Sequence, residues 1–165
     1  MTEKEIIKDE LTSMVERIKS NLDLTLTTAS GKTKDSFRVD STDFGVAVFV
    51  RKYFKGVEIG RGPGGVPKGF NEIIKQWIID KGVSVKQIPY KRKPSNKWQP
   101  KYGVPERSLN MASSAIAHTI KTTGTKLHKE GGRNDVYSEE IKKTVDLIKE
   151  RLKSEIISQI KLNYK

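Results

Sequence analysis

The end of the chain limits the choice of fold most. From Ile141, apolar residues recur at Val145, Ile148, Leu152, Ile156 and Ile160. Steps of three and four are the α-helical repeat, and this is the cleanest periodicity in the sequence. Ser138 stands where an N-cap belongs. The spacing predicts a long C-terminal helix whose apolar stripe faces a core.

The N-terminal segment reads the same way. Ile7, Leu11, Met14, Ile18 and Leu22 stack on one face, and Thr2 with Glu5 forms a capping box. The opposite face is charged, so this helix packs on one side only. The period then changes. Thr25–Thr28 and Ser36–Ser41 are β-branched or alternating, Phe44–Val50 is an apolar run of strand length, and Val57–Ile59 is expected as a third strand. Ser41-Thr42-Asp43 supplies a hairpin turn. Helical period returns with Phe70, Ile73, Ile74, Trp77 and Ile78, stopped by Lys81-Gly82. Val83 and Val85 are expected as a short strand. A helix starts near Pro105, with Leu109, Ala112, Ile116 and Ile120 on its apolar side, and ends at Gly124 or at Gly131-Gly132. The fold class expected is α+β: a small antiparallel sheet packed against helices.

A chain of 165 residues suits one domain. Within 1–165 the expected order is an N-terminal helix over 1–22, strands and a glycine turn over 23–66, and a helix over 67–85. A basic arm over 86–105 and helices over 106–165 follow. With 35% hydrophobic and 7% aromatic residues the core is lean. Lys and Arg number 32 against 20 Asp and Glu, a net charge of +12. Such a field attracts polyanions and acidic protein surfaces. No cysteine is present, which removes disulfides and thiolate chemistry. The N-terminus lacks signal-peptide order, and no apolar run approaches the ~20 residues of a membrane span. The expectation is a chain that remains in the cytoplasm where it is made, unless an assembly carries it out.

Chemical motifs are few. Gly60-Arg61-Gly62-Pro63-Gly64-Gly65 matches GxGxxG, but Pro63 and Pro67 remove donors and no βαβ pattern surrounds it. It reads as a sharp turn allowing close backbone approach, suited to packing against a neighbouring subunit. Gly31-Lys32-Thr33 lacks the first glycine of a phosphate loop, since Leu26 stands there. His118 and His128 have no carboxylate at ligand spacing. No metal, cofactor or catalytic group is expected. An enzyme alternative, a Mg²⁺-dependent nuclease, would have to use Asp35, Asp40, Asp43 and Glu58.

The segment Lys86–Tyr102 contains no acid and repeated prolines, so it is read as an extended loop. Lys86, Lys91, Arg92, Lys93, Lys97 and Lys101 alternate with Tyr90, Trp98 and Tyr102. Such a loop can neutralise phosphates while its rings stack on bases. It can equally clasp an acidic protein partner, or lie as a solvated loop with Trp98 folded back.

Ala29-Ser30-Gly31-Lys32-Thr33 with Ser36-Phe37-Arg38-Val39 resembles the start of the small tail-completion or neck proteins of tailed double-stranded DNA phages. Tyr53 with Val57-Glu58-Ile59-Gly60-Arg61-Gly62 is similar to that family's segment ending a strand in a Glu-x-Gly turn. Phe70 to Gly82, Ala115-Ile116-Ala117 and Gly124-Thr125-Lys126-Leu127 through Gly131-Gly132-Arg133 resemble virion structural proteins of crAss-like phages. The resemblance implies a non-enzymatic α+β subunit, assembled in the host cytoplasm and resident in the virion. It would form a homo-oligomeric ring at the head–tail connector and contact portal or tail proteins around the DNA channel, with non-specific DNA contact and no membrane. Two interface patches are expected: the arm residues named above, and the tight turn Glu58, Gly60, Arg61, Gly62, Gly64 and Gly65. A free nucleic-acid-binding protein using residues 86–102 is the alternative.

Overall fold

The computed structural model describes residues 2–25, 30–91, 94, 95 and 99–163. The fold is α+β, with a two-stranded antiparallel sheet among the described residues and a long C-terminal helix. Residues 1–165, expected as one domain, group into two compact units: Met1–Ile59 with Gly131–Lys165, and Gly60–Glu130. In sequence the second unit is an insertion into the first.

In unit 1, helix α1 (Glu3–Leu24) begins with the capping box, Thr2 and Glu5 each accepting from the other's backbone N–H. Its buried face is Ile6, Met14, Val15, Ile18 and Leu22. A 3₁₀ turn (Lys34–Ser36) leads into β1 (Arg38–Thr42), which pairs with β2 (Gly45–Phe49) from Arg38↔Phe49 to Thr42↔Gly45. Alternation does what the sequence pattern implies. Phe37 turns inward onto Phe54, edge to face at 5.0 Å, while Arg38 and Asp40 pair at 2.5 Å on the other side. The core is Met14, Ile18, Leu22, Phe54 and Val136, with Phe37, Val48, Val50, Val57 and Tyr137 against it. Burying Leu22 alone contributes about 2 kcal/mol. The strand expected over Thr25–Thr28 falls mostly on residues 26–29, outside those described; Thr25 itself closes α1 by donating to the Asn21 carbonyl.

The third strand expected over Val57–Ile59 is instead a helical turn, α2 (Gly56–Ile59). The N–H groups of Phe54, Gly56 and Val57 donate to the carbonyls of Arg51, Tyr53 and Phe54. These local bonds satisfy groups a strand would offer to a neighbour, and they turn Glu58 into the interior.

Helix α6 (Ser138–Asn163) packs antiparallel on α1, and it departs from its sequence pattern. Of the Ile141–Ile160 stripe only Ile148 and Leu152 are partly buried. Ile141, Val145, Ile156 and Ile160 are 44–51% exposed, whereas Glu140 and Thr144 are buried. A polar seam sets this rotation. Arg17 donates from Nε to Glu140 (2.7 Å) and from Nη2 to Thr144 Oγ1 (2.9 Å), and Arg151 meets Glu10 at 2.6 Å. A buried carboxylate without its cation is costly, so the pairing overrides the apolar stripe.

Arg17→Met is therefore expected to destabilise the chain by about 1–3 kcal/mol, reduced from the fully buried case because Arg17 is partly solvated. The Arg17 hydrogen bond, helped less by Lys143, holds the Glu140 carboxyl below its ordinary value of 4.5 despite burial. A depressed carboxyl stabilises the fold above its unfolded pKa and loses that contribution as pH falls through the lower folded value. Denaturant titrations between pH 6 and roughly pH 3 should show this acid loss in the native chain, and a shallower one in Glu140→Gln.

In unit 2, helices α3 (Phe70–Asp80) and α4 (Val104–Thr123) pack together, and the turn α5 (Lys126–Lys129) follows. Ile74, Ile78 and Ala117 form the core, with Phe70, Val85, Leu109, Ala112, Ile116 and Ile120 around it. Ser108 and Ser113 are buried with their hydroxyls bonded back to the carbonyls of Val104 and Asn110. Gly82, at φ +63°, ends α3: its N–H donates to Ile79 and that of Val83 to Ile78. That double bond is the Schellman stop. The strand expected at Val83 and Val85 is absent among the described residues, because Val83 completes the cap and Val85 joins the helical core. No helix of the described residues is long and apolar enough to cross a membrane.

Candidate partner-binding surfaces

The glycine turn is tight for a reason internal to unit 2. Gly60 has φ +68°, and a Cβ on it would come within 2.5 Å of the His128 nitrogen and 2.6 Å of Thr125 Oγ1. Arg61 donates its N–H to Thr125 Oγ1 (2.9 Å) and accepts from Thr125 N (2.8 Å). Gly62 lies against the His128 ring, and Gly64 N donates to the Lys121 carbonyl (2.9 Å). The Arg61 guanidinium reaches the Gly65 carbonyl and sits 5.3 Å over the Phe70 ring. The close approach is made within the chain. Gly64 and Gly65, where a Cβ would meet nothing, are the part of the turn that faces outward.

Glu58, grouped with that turn in the sequence, belongs to unit 1 and is 1% exposed. Its Oε1 accepts from the backbone N–H groups of Val136 (2.9 Å), Tyr137 (2.6 Å) and Ser138 (3.0 Å), and Oε2 accepts from the Ser138 hydroxyl. It caps α6 from another segment, placing negative charge at the positive end of the helix. Burial, and secondarily Glu58, push the Tyr137 phenol above its ordinary range. Glu58 is thus a structural anchor. Of the other acids a nuclease would need, Asp40 is paired with Arg38 and Asp43 is exposed in the hairpin turn. Among the described residues no three acids or histidines stand close enough to hold a metal.

The arm is anchored at both ends. Ile88 N donates to Ser108 Oγ (2.8 Å), and Arg107 donates to the carbonyls of Ile88 and Pro89. The same guanidinium covers the Tyr90 ring at 4.5 Å, while Tyr90 Oη donates to the Tyr102 carbonyl (3.1 Å). Lys101 lies 5.2 Å over the Tyr102 ring. Tyr90 is half-buried by these contacts; Lys86, Lys91 and Lys101 are exposed. Arg92, Lys93, Lys97 and Trp98 lie outside the described residues. Arg107 and Ser108, the residues that hold the arm, were legible only as the polar side of a helix start.

Charge is unevenly divided. Residues 60–130 contain 14 of the 32 Lys and Arg but 4 of the 20 Asp and Glu, giving unit 2 a charge of +10 and leaving +2 for unit 1. Three of those four acids are engaged: Asp80 by Gln76, Glu106 by Lys75 and Glu130 by Lys126. Apolar surface is also open in unit 2. Ile73 and Trp77, read as part of the α3 core stripe, are 53% and 41% exposed, because α4 covers only the Ile74–Ile78 side. Scans against family models, curated proteins and solved structures find no match to this chain.

Proposed function

We propose that the chain is a non-enzymatic virion protein of the head–tail neck, connector or tail-completion region of a tailed phage. It assembles into a ring and contacts portal or tail proteins around the DNA channel. The observation that supports this best is the half-exposed apolar stripe of α6. Ile141, Val145, Ile156 and Ile160 are 44–51% exposed along one helix face, with Ile148 and Leu152 between them partly buried. Contiguous apolar surface of this kind marks protein contact sites. A ring uses two different patches per subunit, and the stripe is one of them. Light scattering and negative-stain imaging of the purified protein, alone and with portal, test the proposal. Rings or portal complexes are expected. Ile156→Asp with Ile160→Asp should reduce them to monomer without loss of helicity, since both side chains are exposed. A wild-type monomer indifferent to every virion component would overturn the assignment.

A free nucleic-acid-binding protein is favoured by one observation, the +10 charge of unit 2. In that case log affinity should fall with log salt by about 0.9 per phosphate contact on duplex DNA. Replacing Lys91, Arg92, Lys93, Lys97 and Lys101 with glutamine should flatten the slope. The same number of changes in unit 1, at Lys32, Lys52, Lys55, Lys142 and Lys153, should leave it. Salt-independent or absent binding removes this reading.

A further inference from the structure

The α3–α4 pair of unit 2 leaves an open groove of about 670 Å³. Ile74, Trp77, Ile116, Thr119, Ile120 and Leu127 line it, and Lys126 stands at the α5 end. Its floor is aliphatic, its one aromatic ring is partly exposed, and the body that carries it has a charge of +10.

We infer that this groove receives an acidic amphipathic helix from another protein of the particle. The inference deepens the assembly function proposed above and rests on it. An apolar trough between two helices accepts the apolar stripe of a third, read as anchors at i, i+3, i+4 and i+7. Charge selects the sign of the flanks. Lys126 is 88% exposed with Glu130 at 3.6 Å, and Lys121 and Lys129 are exposed on the same segment. Three of the unit's four acids are already engaged, so the field around the groove favours a partner rich in Asp and Glu. Nucleic acid satisfies the lysines, but its phosphates leave an aliphatic floor empty. A second copy brings the stripe of α6 on a unit whose charge is also positive, which opposes docking onto +10.

The test uses the full chain carrying Trp98→Phe, which leaves Trp77 as the single tryptophan. The probe is a fluorescein-labelled synthetic helix of about 18 residues, with leucine at the i, i+3, i+4, i+7 positions and glutamate elsewhere. Binding should raise anisotropy and shift Trp77 emission to the blue. Thr119→Phe, which fills the groove from an exposed position, and Lys126→Glu should each weaken binding about tenfold or more. Lys52→Glu, at an exposed position in unit 1, should not. Circular dichroism confirms that each variant is folded. Equal binding of a scrambled peptide of the same composition, or no peptide binding at all, overturns the inference. So does a DNA oligonucleotide that shifts Trp77 and displaces the peptide, which would make the surface a nucleic-acid site. Portal assembly that survives Thr119→Phe while the peptide fails rejects the groove alone; assembly that never occurs rejects the function beneath it.

Discussion

Replacing Glu58 with alanine is expected to cost about 3–5 kcal/mol of stability. The carboxylate accepts three backbone N–H bonds and one hydroxyl bond at the start of α6. Alanine leaves these donors without their acceptor in a site where Glu58 and Val136 are almost fully buried and Tyr137 and Ser138 partly so. Each such orphan costs about 1–3 kcal/mol, and the charge–dipole attraction at the helix start is lost as well. Glutamine separates the two contributions. Its oxygen still accepts from the backbone, and its amide can donate to the Ser138 hydroxyl, so Glu58→Gln should lose only about 1–2 kcal/mol. Guanidinium titrations followed by far-ultraviolet circular dichroism give the comparison. An alanine variant within 1 kcal/mol of wild type would mean that Glu58 does not hold α6.

Local structure was readable because its causes are local. The Thr2–Glu5 box and the Lys81-Gly82 stop each depend on neighbours a few residues away, whereas Ser138, expected as an N-cap, is the first residue of α6 and gives its hydroxyl to Glu58. The inward Phe37 and outward Arg38–Asp40 pair follow from the two-residue period of a strand. The buried face of α6 was not readable. Arg17, 123 positions earlier, selects Glu140 and Thr144 for the seam, and an aliphatic stripe gives no warning of that competitor. Glu58 was hidden for a related reason. Between Val57 and Ile59 it resembles the polar position of a strand, and its partners at 136–138 enter only after the inserted unit. The arm was legible as an irregular basic segment. Its tethering by Arg107 and Ser108 was not, since both residues sit at ordinary positions in the first turns of α4. The concentration of charge needed the division into units, which sequence periodicity does not reveal.

Gly124 carries the second large expected effect, and it gives the glycine turn a role within the chain. The sequence reads Gly124 as a helix stop and Gly60 to Gly65 as a surface for a neighbour. In the fold the two meet. Gly124 is buried at φ +78° and ψ −177°, a backbone region open essentially to glycine alone. A Cβ there would stand 2.8 Å from the Arg61 carbonyl oxygen and 3.2 Å from Gly62 C and Pro63 N, all backbone atoms that cannot swing aside. Gly124→Ala therefore combines conformational strain of about 1–3 kcal/mol with a steric conflict, and a total loss of about 2–4 kcal/mol is expected. The displaced turn would also give up the Arg61–Thr125 bonds. Gly65→Ala is the control: it has open space around it, and the change should lie within about 0.5 kcal/mol of wild type. Both tryptophans, Trp77 and Trp98, lie in unit 2, so denaturation followed by tryptophan fluorescence reports on the unit that Gly124 closes. Equal midpoints for the two variants would show that the turn and the end of α4 are not in contact, and that Gly60 to Gly65 remain available to a partner.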